Sequence, residues 1–154
     1  MIISAYLGKR LELMRPEVDF KEELKKTVVF LKGKGKKVSL ILDLPIFTFK
    51  PELCKGYRWI YKKESKCSMP LSEYHTILDL YKKEMEALAV EIKDVAVINP
   101  ESIFCDDKIC SMVDNGKILY RDFNHLNIEG SKLFGNWLVD RHREKIIRQE
   151  LLEM

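Results

Sequence analysis

The chain has 154 residues, 46% of them hydrophobic and 33% charged, which fits one soluble globular domain and excludes disordered, collagen-like and low-complexity classes. Its 27 basic and 24 acidic side chains leave a net charge of +3, too little to argue for a nucleic-acid partner. No apolar run approaches the ~18 residues of a membrane span, and the start has neither the basic segment nor the small-residue cleavage site of a signal peptide.

In chain order, Ile2 to Leu7 has the length and composition of a buried strand. Asp19 follows as a helix N-cap with Glu22 at the third helical position. Phe20, Leu24, Thr27, Val28 and Leu31 then recur at helical spacing before Gly33 and Gly35 end the helix. Lys32, Lys34, Lys36 and Lys37, interleaved with those glycines, read as a solvated connection, with a phosphate site as the sharper alternative. Val38 to Leu44 is apolar on both faces, the mark of a central parallel strand, and Pro45 closes it. Strand, helix and strand make a crossover unit, whose connection is expected to be right-handed. Ile46 to Pro70 is a long connection rich in lysine and aromatic residues, a kind of loop that is functional or pinned by a crosslink. Leu71, Tyr74, Leu78, Tyr81, Met85 and Leu88 mark a second helix, and Val95 to Ile98 a third short strand that stops at Asn99 and Pro100. Asn115-Gly116, between Met112-Val113 and Ile118-Leu119-Tyr120, predicts a two-residue hairpin. The last helix starts near Asn127, with Phe134, Trp137, Leu138 and Ile146 on its buried side and Arg141 to Lys145 polar.

Four cysteines fall in two pairs, Cys54 with Cys67 and Cys105 with Cys110, with twelve and four residues between them. Metal knuckles use other, short fixed spacings, so two local disulfides are expected, with four unpaired thiols as the alternative. In the loop-entropy account the crosslinks stabilise the fold by about 3 and about 2 kcal/mol, and only in an oxidising compartment. The cysteines thus point outside the cytoplasm while the chain's own start provides no export, a conflict that an upstream element would resolve.

Trp59, with Tyr57 and Tyr61, lies between the first two cysteines, where aromatic rings either stack on a sugar or pack the loop. His75 reads as a surface helix histidine with Glu73 and Asp79 as its neighbouring carboxylates, and His142, between Arg141 and Arg143, as solvated. Asp43 ends the second strand, where open parallel sheets place ligand-facing groups and where aspartates also cap turns.

The segment Tyr120-Arg121-Asp122-Phe123-Asn124-His125-Leu126-Asn127 puts a carboxylate three residues before an imidazole, in a loop that runs straight into a helix. A carboxylate so placed accepts one imidazole N–H and fixes the tautomer, leaving the other nitrogen to take a proton from a nucleophile. A surface pair that caps the last helix is the competing reading of this spacing.

Leu119-Tyr120-Arg121-Asp122, His125-Leu126-Asn127 and Gly130-Ser131 resemble the final block of SGNH-type esterases and acyltransferases, in particular the extracytoplasmic C-terminal domain of membrane acyltransferases that O-acetylate cell-surface glycans. In that block an aspartate and a histidine are followed by Leu-Ser and a glycine; Asn127 stands at the serine, and both types are good N-caps. Cys105 and Cys110 are similar to the short cysteine loop of these domains, and Val38 to Leu44 running into Pro45 and a loop with Cys54 follows the same pattern. Ile3-Ser4-Ala5-Tyr6 resembles a family strand, with Tyr6 and Leu7 where an arginine-tryptophan is common.

The resemblance implies an α/β fold, a partial doubly wound, flavodoxin-like three-layer sandwich with a short parallel sheet and a C-terminal helix. It covers 1–154 as a single domain without its N-terminal part. It implies acyl transfer or ester hydrolysis with His125 as general base and Asp122 orienting it. The family's nucleophile stands in a Gly-Asp-Ser turn, and none of Ser4, Ser39, Ser65, Ser68, Ser72, Ser102, Ser111 and Ser131 follows Gly-Asp. The family's oxyanion-hole glycine and asparagine are not identifiable in the sequence, and Gly8, after the first strand, is a poor candidate because a tight turn alone explains a glycine there. The expectation is therefore the Asp-His half of a triad, inactive alone, with an open apolar sheet edge that invites pairing with another chain. Its expected partner is an upstream segment or a membrane acyltransferase domain, its substrate a cell-surface glycan or acyl ester, and its place extracytoplasmic, with no cofactor, metal or nucleic acid. A non-catalytic carbohydrate-binding or interaction module on the same fold is the alternative, and a cytosolic esterase-like protein with free thiols a third.

Overall fold

The computed structural model describes residues 2–4, 19–54 and 67–152, with side chains for 19–54, 67–79 and 81–141. In chain order the elements are β1 (Ile2–Ser4), α1 (Phe20–Gly33), β2 (Val38–Ile41), β3 (Ser68–Pro70), α2 (Leu71–Glu91), β4 (Val95–Ile98), α3 (Glu101–Phe104), β5 (Ile109–Ser111), β6 (Val113–Asp114), β7 (Lys117–Ile118) and α4 (Ile128–Leu152). A short 3-10 helix, Pro51–Cys54, lies between β2 and β3. The elements group into two compact units, residues 1–44 with 70–101 and residues 45–69 with 102–154.

In the first unit β1, β2 and β4 form a parallel sheet in that order, with Ile3 opposite Leu40 and Leu40 opposite Val97. The central place of β2 follows from its apolar run: Val38, Leu40 and Ile41 are buried, and Leu42 N extends the ladder to Ile98 O at 2.9 Å. The expected first strand is present over Ile2–Ser4, and its remainder to Leu7 lies outside the described residues.

Helix α1 starts as the sequence predicts, with Asp19 Oδ1 accepting from Glu22 N at 3.1 Å. It buries Leu24 and Val28 and ends at a left-handed Gly35 (φ 72°), where Lys36 N returns to Leu31 O and Gly35 N to Lys32 O. Helix α2 buries Tyr74, Leu78, Tyr81, Met85 and Leu88, alternately four and three residues apart, along one stripe. The two helices meet through the Lys25–Glu91 ion pair, and Lys32 donates to Lys93 O. Two buried hydroxyls of α2 hold the backbone just past β2: Tyr81 OH accepts from Asp43 N at 2.9 Å, and Tyr74 OH donates to Asp43 O at 2.6 Å. These bonds satisfy backbone groups that have left the sheet ladder.

In the second unit β3 pairs with β5, and β6 pairs with β7 in an antiparallel hairpin. Phe47, Phe104, Cys110, Met112, Leu119 and Tyr120 are its buried centre. Phe134, Trp137 and Leu138 of α4 are half-buried rather than buried, and Ile146 and His142 lie outside the described side chains.

Candidate active site

The hairpin leads the chain into the site. Asn115 and Gly116 have φ of 47° and 74°, the two left-handed positions of a type I′ turn, so Val113 faces Ile118 and Asp114 faces Lys117. Beyond β7, Leu119 N donates to Met112 O and Met112 N to Cys67 O, each at 2.8 Å. Tyr120 is buried with its ring edge-on to Phe47 and Phe104, at centroid separations of 5.0 and 5.7 Å. The backbone then turns back on itself: Arg121 N donates to His125 O at 2.7 Å, Tyr120 bridges to Leu126, and Phe47 N donates to Phe123 O at 2.8 Å.

This closed turn carries Asp122 and His125. Asp122 Oδ1 accepts from Asn124 N at 3.0 Å and from His125 N at 2.8 Å. His125 Nδ1 lies 3.0 Å from Oδ1 and 2.9 Å from Oδ2 of the same carboxylate. With an anionic acceptor on that side, Nδ1 carries the proton and Nε2 keeps its lone pair. The imidazole is 60% exposed and the carboxylate 32%. Desolvation pushes the Asp122 carboxyl up, yet the N–H groups of Asn124 and His125 and the imidazole together outweigh it and bring it down to about 2. Arg121 Nη2 stands 3.6 Å from Asp122 Oδ2, and Asn124 Oδ1 is buried with no hydrogen-bond partner among the described residues.

Cys54 is bonded to Cys67 and Cys105 to Cys110, so the described cysteines hold no free thiol. Both crosslinks reach the strand that feeds the hairpin, one through Cys67 O and Met112 N and the other through Cys110 in β5. Asp106 Oδ1 fills the smaller loop by accepting from Lys108 N and Ile109 N at 2.7 and 2.8 Å.

His75 differs from its sequence-based description. Its partner is neither Glu73 nor Asp79 but Glu101, at the start of α3, with Nε2 and Oε2 2.8 Å apart. The fold brings β4 and the following Glu101 back beside α2, a proximity that local spacing does not encode. Asp43 is buried between the two tyrosine hydroxyls that hold its backbone. In the lysine cluster, Lys32 is committed to Lys93 O and stands 3.9 Å from Asp94, and Lys34 lies over the Phe30 ring, so these two side chains serve local contacts. Gly8, Tyr57, Trp59, Tyr61 and Ser65 lie outside the described residues. Among the described residues, no group of three His, Cys, Asp or Glu side chains is arranged to hold a metal ion.

Sequence reasoning missed the anchors Phe47 and Phe104, because each meets the loop only through the tertiary fold. A short parallel sheet with flanking helices and a long C-terminal helix is the α/β arrangement of an SGNH-type domain. The family model described as SGNH domain (fused to AT3 domains) matches residues 3–139, and the chain belongs to this family. It is an SGNH domain of the acyltransferase-associated kind. No curated protein and no solved structure matches it. Among the described residues, no helix is long and apolar enough to cross a membrane.

Proposed function

We propose that the chain carries the His-Asp half of a Ser-His-Asp triad for acyl-ester transfer or hydrolysis, used in the O-acetylation of cell-surface polysaccharide. The observation that carries this reading is the pairing of His125 Nδ1 with both oxygens of an ionised Asp122, on an imidazole that stays accessible. His125 Nε2 takes the proton of a serine hydroxyl as its Oγ attacks the ester carbonyl, and returns it to the departing alcohol as the acyl-serine forms. A sugar hydroxyl, or water, then loses its proton to Nε2 as it takes the acyl group, and Nε2 passes that proton to the serine Oγ as the acyl-serine bond breaks. Asp122 remains ionised throughout and stabilises the imidazolium.

Among the described residues no serine hydroxyl bonds the His125 ring. The reading places the nucleophile in a segment upstream of β1 that completes a single domain. The family's fusion to AT3 domains supports a membrane acyltransferase domain as partner and an extracytoplasmic location, where disulfides persist. Joined to its upstream segment, the protein is expected to hydrolyse a small acetyl ester, and His125→Ala to lower turnover by about 10³-fold or more. Turnover that survives this substitution removes His125 from the mechanism.

A further inference from the structure

Asn127, two residues after His125, joins three parts of the site through its side chain and its own backbone N–H and C=O. Its Nδ2 donates to Ile118 O at 2.7 Å, at the end of β7, with Tyr120 O further off at 3.5 Å. Its Oδ1 accepts from Gly130 N at 3.0 Å, capping the first turn of α4. Its own N donates to Leu119 O and its O accepts from Ser131 N, both at 2.9 Å. The strand that enters the Asp122–His125 turn and the helix that leaves it are therefore tied to the same amide. An ordinary N-cap needs only the Oδ1 contact; the Nδ2 bond back to the entering strand is additional.

We propose that Asn127 is a positioning residue for the His125–Asp122 pair, its Nδ2 amide bracing the two ends of the turn so that imidazole and carboxylate stay in register. This rests on the acyl-transfer reading for its purpose but not for its test. Without the brace, the ends of the turn separate and the bonds that converge on Asp122 from Asn124 N, His125 N and the ring lengthen together. Arg121 is the remaining charged group facing that carboxylate, and it stays in place.

Asn127→Ser and Asn127→Thr retain an oxygen for Gly130 N and delete the amide donor. The test follows the Asp122 carboxyl by carbon NMR in the full 154-residue chain, assigned by the loss of its signal in Asp122→Asn. In the parent it titrates at about 2, and the expected result is a midpoint displaced toward the ordinary value of 3.8 in both variants. Asp19→Ala, which removes the cap of α1, serves as a control for general destabilisation and leaves the midpoint in place. An unchanged Asp122 midpoint in either folded Asn127 variant overturns the proposal and leaves Asn127 a helix cap. Because the readout is a titration, loss of the acyl-transfer reading through active His125→Ala enzyme is a separate outcome.

Discussion

The α-carbon of Gly130 lies so close to the backbone carbonyl of Leu119 that a Cβ at this position would overlap the oxygen and press on the Leu126 side chain. The same carbonyl accepts Asn127 N, so a residue without a side chain lets the first turn of α4 sit on the base of the Asp122–His125 turn.

Gly130→Ala is accordingly expected to cost about 1–3 kcal/mol, since neither the carbonyl nor the helix can move without breaking the Asn127 contacts. Gly33→Ala, with nothing within 4 Å of the added methyl, is expected to change stability by less than about 1 kcal/mol. Urea denaturation compares the two, and coincident midpoints would contradict the close approach.

Asp122 gives a pH dependence with a definite sign. Its carboxyl is held at about 2 when folded against 3.8 ordinarily, so its stabilising contribution is complete above about pH 4 and is lost as pH falls through 2. Asp122→Asn removes this part of the acid dependence. A variant whose acid transition overlays the parent's would show that the carboxylate is not held as described.

Both disulfides lie in the unit that carries the site. Unreduced, denatured protein is expected to show no reactive thiol and reduced protein four. Replacing Cys105 and Cys110 together by alanine should cost about 2 kcal/mol, and Cys54 with Cys67 about 3 kcal/mol. Four thiols in unreduced protein would contradict both disulfides and favour the third reading, a cytosolic esterase-like protein with free thiols.

Tyr74 and Tyr81 are buried, and burial is the largest cause that raises both phenols, Glu101 adding to Tyr74 and Asp43 to each. Their neutral forms contribute stability that is complete below about pH 10 and is lost as pH rises toward their folded values. Ultraviolet titration should therefore show these two ionising only with alkaline unfolding. Tyr74→Phe, which removes the Tyr74 hydroxyl's bond to Asp43 O, should cost about 1–3 kcal/mol.

The parts legible in the sequence were those with local causes. The Asp19 cap, the Gly33 and Gly35 stop, the apolar run of β2, the stripe of α2 and the Asn115-Gly116 turn each follow from neighbouring residues, and the structure has each at its place. The Asp122–His125 contact is legible for the same reason, its partners being three residues apart. Glu101 beside His75, the bond from Phe47 N to Phe123 O and the Nδ2 bond of Asn127 to Ile118 were not, because they depend on where the backbone returns. Helical spacing puts Phe134, Trp137 and Leu138 on a buried side, and their half-burial shows how little spacing says about the depth of cover.

The central claim is that this chain holds a base and its orienting carboxylate for a nucleophile encoded upstream. Sequencing the DNA before Met1 and translating it in frame tests this directly. The account predicts a continuous frame in which an apolar strand runs into a Gly-Asp-Ser turn. An in-frame stop directly before Met1, with no such turn, would contradict it and leave Asp122 and His125 as a pair without a serine to serve.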